Sequence, residues 1–219
     1  DETSQNDIIN DIEDWMFEER LSKEFEAVGF FISDHPLNQF TEIFDDYKIK
    51  DYSNFYSNDE IKDTNIAATL LKVQERKTAK GNAYAVLKLT DLSSVFELFI
   101  FSDLLESNRE ILKEGNSLIL TLIKNISNDE NRFRRINVQK IGSLKELFNS
   151  PINEVSFDVK SQIEVDEISK ILKEDGKTIV NINMTIAEKT LKFKLKNSRN
   201  LDRKSLNLLR KVEISSTIN

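Results

Sequence analysis

The sequence predicts an α+β protein of several domains: a helical leader, a five-stranded β-barrel and a small α+β domain of order βαββα. Apolar residues recur at helical spacing early in the chain, alternate with polar residues through its middle, and mix both patterns after Pro151. The 219 residues have room for one or two domains of ordinary size. Zero cysteines and one histidine exclude disulfide scaffolds, thiolate zinc sites and multi-histidine metal sites.

The predicted domains are residues 1–65, 66–148 and 149–219, and their charges differ. The first holds 18 acidic against 5 basic side chains, whereas each of the other two holds 13 basic against 10 acidic. An acidic leader therefore precedes two mildly basic modules. No run of 18 apolar residues exists and the N-terminus lacks the features of a signal peptide, so we expect a cytoplasmic protein.

Helical spacing in the leader predicts two amphipathic helices, the second capped by Gly29, from the apolar residues Ile8, Ile12, Trp15, Leu21, Phe25 and Val28. His35-Pro36 is predicted to begin another turn or helix with inward-facing Leu37, Phe40 and Phe44. Residues 45–65 show little periodicity, which predicts a linker or loop.

From residue 66 the period shortens towards two, and five strands are predicted, at 66–73, 84–89, 95–101, 117–126 and 133–141. In the third strand Phe96, Leu98 and Ile100 share one face, and Glu97, Phe99 and Phe101 share the other. A short helix from Leu104 to Leu112, ending near Gly115, lies between strands three and four. Five strands with their one helix there is the order of an OB barrel.

The last third predicts a strand at 155–159, a helix at 165–172 capped by Gly176, an antiparallel pair at 178–184 and 190–195, and a final helix at 201–212. The resulting βαββα order describes a small α+β domain.

Catalysis has little support in these residues, because no phosphate-binding glycine loop, nucleophile elbow or histidine ligand set is present. Paired carboxylates could hold Mg²⁺, but a solvated acidic surface is the favoured interpretation for Glu18, Glu19, Asp45 and Asp46. His35 is interpreted as structural. We expect no catalytic residue, metal site or cofactor in this stretch, and whether the chain is part of an enzyme stays open.

The predicted barrel has the residues that a single-stranded nucleic acid needs. OB folds stack bases on aromatic side chains of their second and third strands, while loop cations follow the phosphates. Tyr84 and Phe99 are the candidate stacking residues, and Lys88 lies beside them. The candidate loop cations are Arg76, Lys77 and Lys80 in the first loop and Arg132, Arg134 and Arg135 around the last. An aromatic residue in the barrel core is the competing interpretation.

Three segments resemble the C-terminal region of the bacterial replicative DNA polymerase III alpha subunit. Residues 24–37, ending Gly29-Phe30-Phe31-Ile32-Ser33-Asp34-His35-Pro36-Leu37, are similar to that family's Gly-Phe-Tyr-Leu-Ser-x-His-Pro-Leu segment. The turn from Arg76 to Asn82 resembles its basic Thr-Lys-x-Gly-Asn turn. The stretch Leu89-Thr90-Asp91 followed by residues 96–101 resembles its Leu-x-Asp and Glu-Val-x-Val-Phe stretch. Ala79, Ser94 and Asp34 depart from the family pattern, and beyond residue 149 only order and length agree.

The resemblance implies a non-catalytic C-terminal fragment of a DNA-directed DNA polymerase, whose Mg²⁺-binding aspartates would lie upstream. The barrel would contact the single-stranded DNA template, and the last domain would dock the tau subunit of the clamp loader. The family's sliding-clamp motif would also lie upstream, with a degenerate candidate at Gln5-Asn6-Asp7-Ile8-Ile9.

Two other classes of protein compete with this interpretation. In the first, the barrel is a protein-docking module with no nucleic-acid binding of its own, which the net charge of −7 favours. In the second, the chain is a free-standing OB-containing nucleotidyltransferase, which the lack of a lysine-centred nucleotide motif disfavours.

Overall fold

The computed structural model describes residues 17–127, 133–186 and 189–218, in two compact units. Unit 1 comprises the chain up to Gln39 together with Lys50–Ser143, and unit 2 comprises Phe40–Ile49 together with Leu144–Asn219. The predicted leader, 1–65, is thus divided between the two units. Two sheets with a few short helices confirm the α+β class. In the described part of the chain, no helix has the length and apolarity to span a membrane.

Unit 1 is built on one sheet and three short helices. The helices are α1 (Phe17–Val28), α2 (Tyr52–Ser57) and α3 (Ser102–Ser107), and a 3₁₀ helix follows α1 at Pro36–Ile43, where the chain passes between units. A two-residue strand, β1 (Ile49–Lys50), precedes α2, and the main strands are β2 (Asp63–Lys77), β3 (Ala83–Thr90), β4 (Val95–Phe101), β5 (Ser117–Ile126) and β6 (Arg134–Ser143).

The main strands lie in the order β4-β3-β2-β5-β6, and each neighbouring pair is antiparallel. The five predicted strands are all present, with the one helix α3 between the third and the fourth. The edge strands β4 and β6 approach each other, but no hydrogen-bonded ladder joins them within the described residues. Closure of the sheet into an OB barrel therefore stays a prediction.

The alternation of β4 places its side chains on the predicted faces. Phe96, Leu98 and Ile100 are buried in the core, whereas Phe99 and Phe101 are more than half exposed on the opposite face. The core also takes apolar residues from the other strands, with α2 and α3 contributing Phe55 and Leu105. The helix predicted for 104–112 is shorter, ending at Ser107, and Gly115 instead donates its amide to the carbonyl of Leu70.

The family-like segment after α1 contains a turn and the 3₁₀ helix. Gly29 has a φ of +76° and donates its amide to the Phe25 carbonyl at 2.8 Å, which confirms its role as the cap of α1. The Glu24 carboxylate then accepts the amides of Ser33 and Ile32, and these bonds lower the pKa of Glu24. Leu37 and Phe40 are buried as predicted, and Ile43 is more deeply buried than Phe44.

The linker predicted at 45–65 is wrong, because this stretch contains β1, α2 and the start of β2. Phe55 of α2 is completely buried in the core of unit 1. Helix α2 has only six residues, which is too short to show a helical period in the sequence. Neither the helix nor its buried residue Phe55 could therefore be predicted.

Unit 2 covers one face of a second sheet with helices. Its helices are α4 (Leu144–Asn149), α5 (Gln162–Ile171) and α6 (Arg203–Lys211), and its strands are β7 (Glu154–Val159), β8 (Lys173–Ile186), β9 (Lys189–Lys194), β10 (Arg199–Asn200) and β11 (Ser215–Ile218). Strands β7 and β8 are parallel neighbours joined through α5. β9 pairs with β8 as the predicted antiparallel partner, and β11 adds an unpredicted strand beside β7. The core includes Phe157, Ile168, Leu206 and Leu209.

The predicted cap at Gly176 is wrong. Helix α5 already ends at Ile171, with Leu172 donating its amide to the Ile168 carbonyl. Gly176 lies within β8, where Asp175 has a φ of +61° and the pairing with β10 shifts register. A glycine at an irregularity inside a strand and a glycine after a helix give the same sequence signal.

Candidate nucleic-acid interface

The face of β2, β3 and β4 that points away from the core, named here the outer face, carries aromatic and basic side chains in register. Antiparallel partners lie on the same face, and three rows cross these strands. The rows are Arg76–Tyr84–Phe101, Gln74–Val86–Phe99 and Lys72–Lys88–Glu97. The structure therefore brings four of the predicted site residues together: Arg76, Tyr84, Lys88 and Phe99.

Exposure differs along this face. Phe99 and Phe101 are 54% and 56% exposed, whereas Tyr84, at the start of β3, is less exposed and half-buried. Lys72, Arg76 and Lys88 are exposed. Phe101 was not among the predicted stacking residues, although the alternation of β4 already placed it on the face of Phe99.

Next to Phe99 and Phe101 lies a groove of about 470 Å³, named here the aromatic groove. Edge strands β4 and β6 form its sides and α2 adds two tyrosines. The lining residues include Tyr52, Tyr56, Phe99, Phe101, Phe133, Arg135 and Asn137. Phe133 is 70% exposed and Tyr56 is 44% exposed, so aromatic surface is open to a ligand. Neither tyrosine was predicted, because both lie in the stretch interpreted as a linker.

Arg134 and Arg135, predicted around the last loop, begin strand β6 and have different environments. Arg134 forms a two-pronged ion pair with Asp59, with Nε–Oδ1 at 3.0 Å and Nη2–Oδ2 at 3.4 Å, and its guanidinium lies 5.4 Å from the ring centre of Tyr56. The hydrogen bonds to Asp59 raise the pKa of Arg134. Arg135 is exposed at the groove, and Arg132 lies outside the described residues. Among the described residues that line the groove, Arg135 is therefore the cation available to a ligand.

The first loop is a compact hairpin turn. Thr78 and Asn82 close it with an amide-to-carbonyl bond of 2.9 Å, and Gly81 has a φ of +84°, which a residue with a side chain rarely adopts. Lys77 ends β2 and Lys80 lies in the turn, both exposed. Neither lysine lines the aromatic groove. They could therefore contact only the part of a bound nucleic acid that extends beyond the groove.

Helix α2 is held in place at both ends. The Asp91 carboxylate, in the turn between β3 and β4, accepts the amides of Tyr52, Ser93 and Ser94. At the other end the buried Lys124 ammonium donates to the carbonyls of Phe55 and Asn58. Burial lowers the pKa of Lys124. The tyrosines of the groove thus stand on a helix fixed by two charged groups from other elements.

The acidic residues and His35, interpreted from the sequence as surface and structural residues, form no group of metal ligands in the described part of the chain. Asp46 pairs instead with Arg203 and Arg210, Glu19 and Asp45 are exposed, and the side chain of Glu18 is outside the description. His35 accepts the Leu37 amide at Nδ1, and burial lowers its pKa. Residues 5–9, the candidate clamp motif, lie outside the described part.

Comparison with known proteins gives one consistent result. The chain is 30% identical over 151 residues to "DNA polymerase III subunit alpha" of Rickettsia conorii, a match that covers 68% of this chain and 12% of that protein. Proteins of the same name from Buchnera aphidicola and Escherichia coli are 26% and 25% identical, each over about half of this chain and 9% of their own length. No protein-family model matches.

Proposed function

Because this chain is homologous to a segment of bacterial DNA polymerase III alpha subunits, we propose that it serves chromosomal replication as a template-binding part of a replicative polymerase. In this proposal unit 1 is an OB-type module that holds single-stranded DNA. On the same homology, polymerisation itself, with its Mg²⁺, would be carried by residues outside this chain.

One observation supports this proposal above the others: the outer face joins exposed aromatic rings to cations and continues into the aromatic groove. Phe99 and Phe101 stand two residues apart on one strand, about 7 Å apart along it. Each exposed ring offers a stacking surface worth about 1–3 kcal/mol per base, whatever the base. Arg76 lies in the same cross-strand row as Phe101, Lys88 lies in the row next to that of Phe99, and Arg135 lines the groove, so these cations could contact a phosphate backbone.

The net charge of the chain does not oppose this function. The excess of acidic residues lies in 1–65, whereas 66–148 has a small positive excess. Screening at physiological salt limits the reach of exposed charges to about 8 Å, so the local cations of the outer face decide phosphate binding. Weak binding without sequence preference is the expected behaviour.

The partners are proposed on homology alone. The tau subunit of the clamp loader would dock on unit 2, and the sliding clamp would bind elsewhere in the polymerase. The alternative function, a protein-docking module, would use the same aromatic groove for apolar side chains of a partner. Salt distinguishes them, because each phosphate contacted lowers log affinity by about 0.7 per log unit of salt, whereas apolar docking changes little.

The deciding experiment is fluorescence anisotropy of a labelled oligothymidylate titrated with the chain at two salt concentrations. Phe99→Ala is expected to weaken binding about tenfold, the loss of roughly one stacking contact. Phe193→Ala is the matched control, because Phe193 is a phenylalanine of similar exposure, 51%, on a strand of unit 2. Lys88→Ala is expected to reduce the salt slope, and Lys192→Ala is its control.

Equal losses from Phe99→Ala and Phe193→Ala would contradict the assignment of the outer face. Salt-independent binding of a protein partner, with no oligothymidylate binding at low salt, would favour the docking alternative. Tyr84→Ala is expected to lose both some stability and some affinity, since Tyr84 is half-buried. The stability of each variant is therefore measured in parallel.

A further inference from the structure

Strand β9 (Lys189–Lys194) leaves one edge open in unit 2. It pairs with β8 on one side, and no other described strand pairs with it. All six of its residues are exposed. An edge strand of this kind presents a row of unpaired backbone amides and carbonyls, and such a row can accept a further strand.

The two faces of β9 have opposite chemistry. Leu191 and Phe193 lie on the helix-covered side, opposite Met184 and Ile182, and remain 48% and 51% exposed, while Lys189 lies at the end of that side, opposite Ile186. Lys192 and Lys194 point to the other side, opposite Asn183 and Asn181. An incoming strand would therefore meet apolar surface on one face and ammonium groups on the other, at alternate residues.

The apolar side of β9 continues into a pocket. Ile182, the partner of Phe193, lines a cavity of about 270 Å³ together with Ile168, Leu172 and Leu195. Continuous apolar surface thus runs from α5 to the outermost strand without a covering element among the described residues. Ile186, 55% exposed, extends it at the far end of β8.

Lys192 and Lys194 lie opposite two asparagines, and these asparagines are hydrogen-bonded to the nearby acidic residues. Asn181 donates to Glu154, and Asn183 donates to Asp158, at 2.7 and 2.8 Å. Within the described residues neither Lys192 nor Lys194 forms an ion pair, so both ammonium groups can meet carboxylates from outside.

From this combination we infer that β9 binds an extended peptide segment in which acidic and apolar residues alternate. The segment adds to the sheet as a new edge strand, with its apolar side chains against Leu191 and Phe193 and its carboxylates beside Lys192 and Lys194. This inference deepens the docking role proposed for unit 2, because it states the chemistry of the docked segment.

Other occupants fit less well. Antiparallel self-pairing of two β9 strands centred on residue 192 or 193 places a lysine of one copy opposite a lysine of the other, which is destabilising, and centring the pair on residue 191 places Phe193 opposite Lys189, which is no favourable cross-strand pair. A nucleic acid would use the ammonium groups but leave the apolar face and the backbone row unsatisfied. An acidic and apolar strand satisfies all three features.

The test uses the full chain and a fluorescein-labelled nonapeptide in which glutamate and valine alternate, with affinity measured by anisotropy. The double variant Lys192→Glu/Lys194→Glu is expected to weaken binding about tenfold, because two favourable cross-strand pairs become repulsive. The matched control is Lys204→Glu/Lys211→Glu, which makes the same charge change at exposed positions of α6.

Two further probes test strand addition itself. A nonapeptide of alternating lysine and valine is expected not to bind, and the glutamate peptide with N-methyl groups on alternate amides is expected to lose binding because it cannot complete the ladder. Equal binding of the methylated peptide, or an equal loss in both double variants, would overturn the inference. Oligothymidylate binding by unit 1 and binding of intact tau are measured separately, so failure of the proposed function is recognised independently.

Discussion

Replacing Asp91 should loosen the wall of the aromatic groove. Asp91 is a buried residue, 5% exposed. Its carboxylate accepts three backbone amides, from Tyr52 at 2.5 Å, from Ser93 at 2.8 Å and from Ser94 at 2.7 Å. The Ser93 hydroxyl donates a fourth bond. The carboxylate thus ties the first turn of α2 to the hairpin between β3 and β4.

The expected cost follows from these bonds. A hydrogen bond to a charged group contributes about 1.5–3 kcal/mol, and water can replace part of what the exposed serines lose. We therefore expect Asp91→Ala to lower the free energy of unfolding of unit 1 by about 3 kcal/mol. Asp91→Asn keeps one oxygen for the serine amides and loses the acceptor for the Tyr52 amide, so about half that loss is expected.

Urea denaturation followed by circular dichroism measures the loss, and hydrogen exchange of the peptide covering 50–62 locates it. Because Tyr52 and Tyr56 line the groove, Asp91→Ala should also weaken oligothymidylate binding. This loss of affinity is expected without urea, where most of the variant is still folded. A cost of less than about 1 kcal/mol for Asp91→Ala, or unchanged hydrogen exchange in α2, would contradict the role assigned to this carboxylate.

Two other predictions concern stability. Burial raises the pKa of Tyr52 to about 12, from an ordinary value near 10, so the folded state holds the phenol proton more tightly than the unfolded chain. Stability should therefore fall as the pH rises above about 10, and Tyr52→Phe should remove that part of the fall in alkaline urea titrations. In unit 2, the Asp46 side chain is 7% exposed and pairs with Arg203 and with Arg210 at 2.6 Å, so Asp46→Asn should cost about 3 kcal/mol by leaving two cations unpaired. Adding Arg210→Met should recover part of that loss, and thermal melts showing no recovery would contradict this explanation.

Much of the fold could be predicted because its signals are local. The alternation in β4 fixed which side chains face the core, and β5 has its predicted bounds. Gly29 could be recognised as a cap because a glycine after an amphipathic helix has one common use. The same alternation predicted that Phe99, the candidate stacking residue, points away from the core, and the side chain is exposed there.

Other features could not be read from the sequence, since their causes lie far apart along the chain. Helix α2 is fixed by Asp91 and Lys124, which are 39 and 69 residues from their partners Tyr52 and Phe55. The segment 40–49 joins unit 2 through Asp46, whose arginine partner Arg210 is 164 residues away. The polar strand β11 has no apolar alternation and exists through its pairing with β7.

The α+β class, the five-strand order with its one helix, and the separation of a basic middle from an acidic leader could all be predicted, because they depend on the periodicity and charge of neighbouring residues. Long-range packing accounts for the rest: Tyr52 and Tyr56 border the groove, Asp59 engages Arg134, and no described strand covers the outer edge of β9. Those properties depend on which distant residues come into contact, because burial and pairing belong to the packed chain and not to any local pattern.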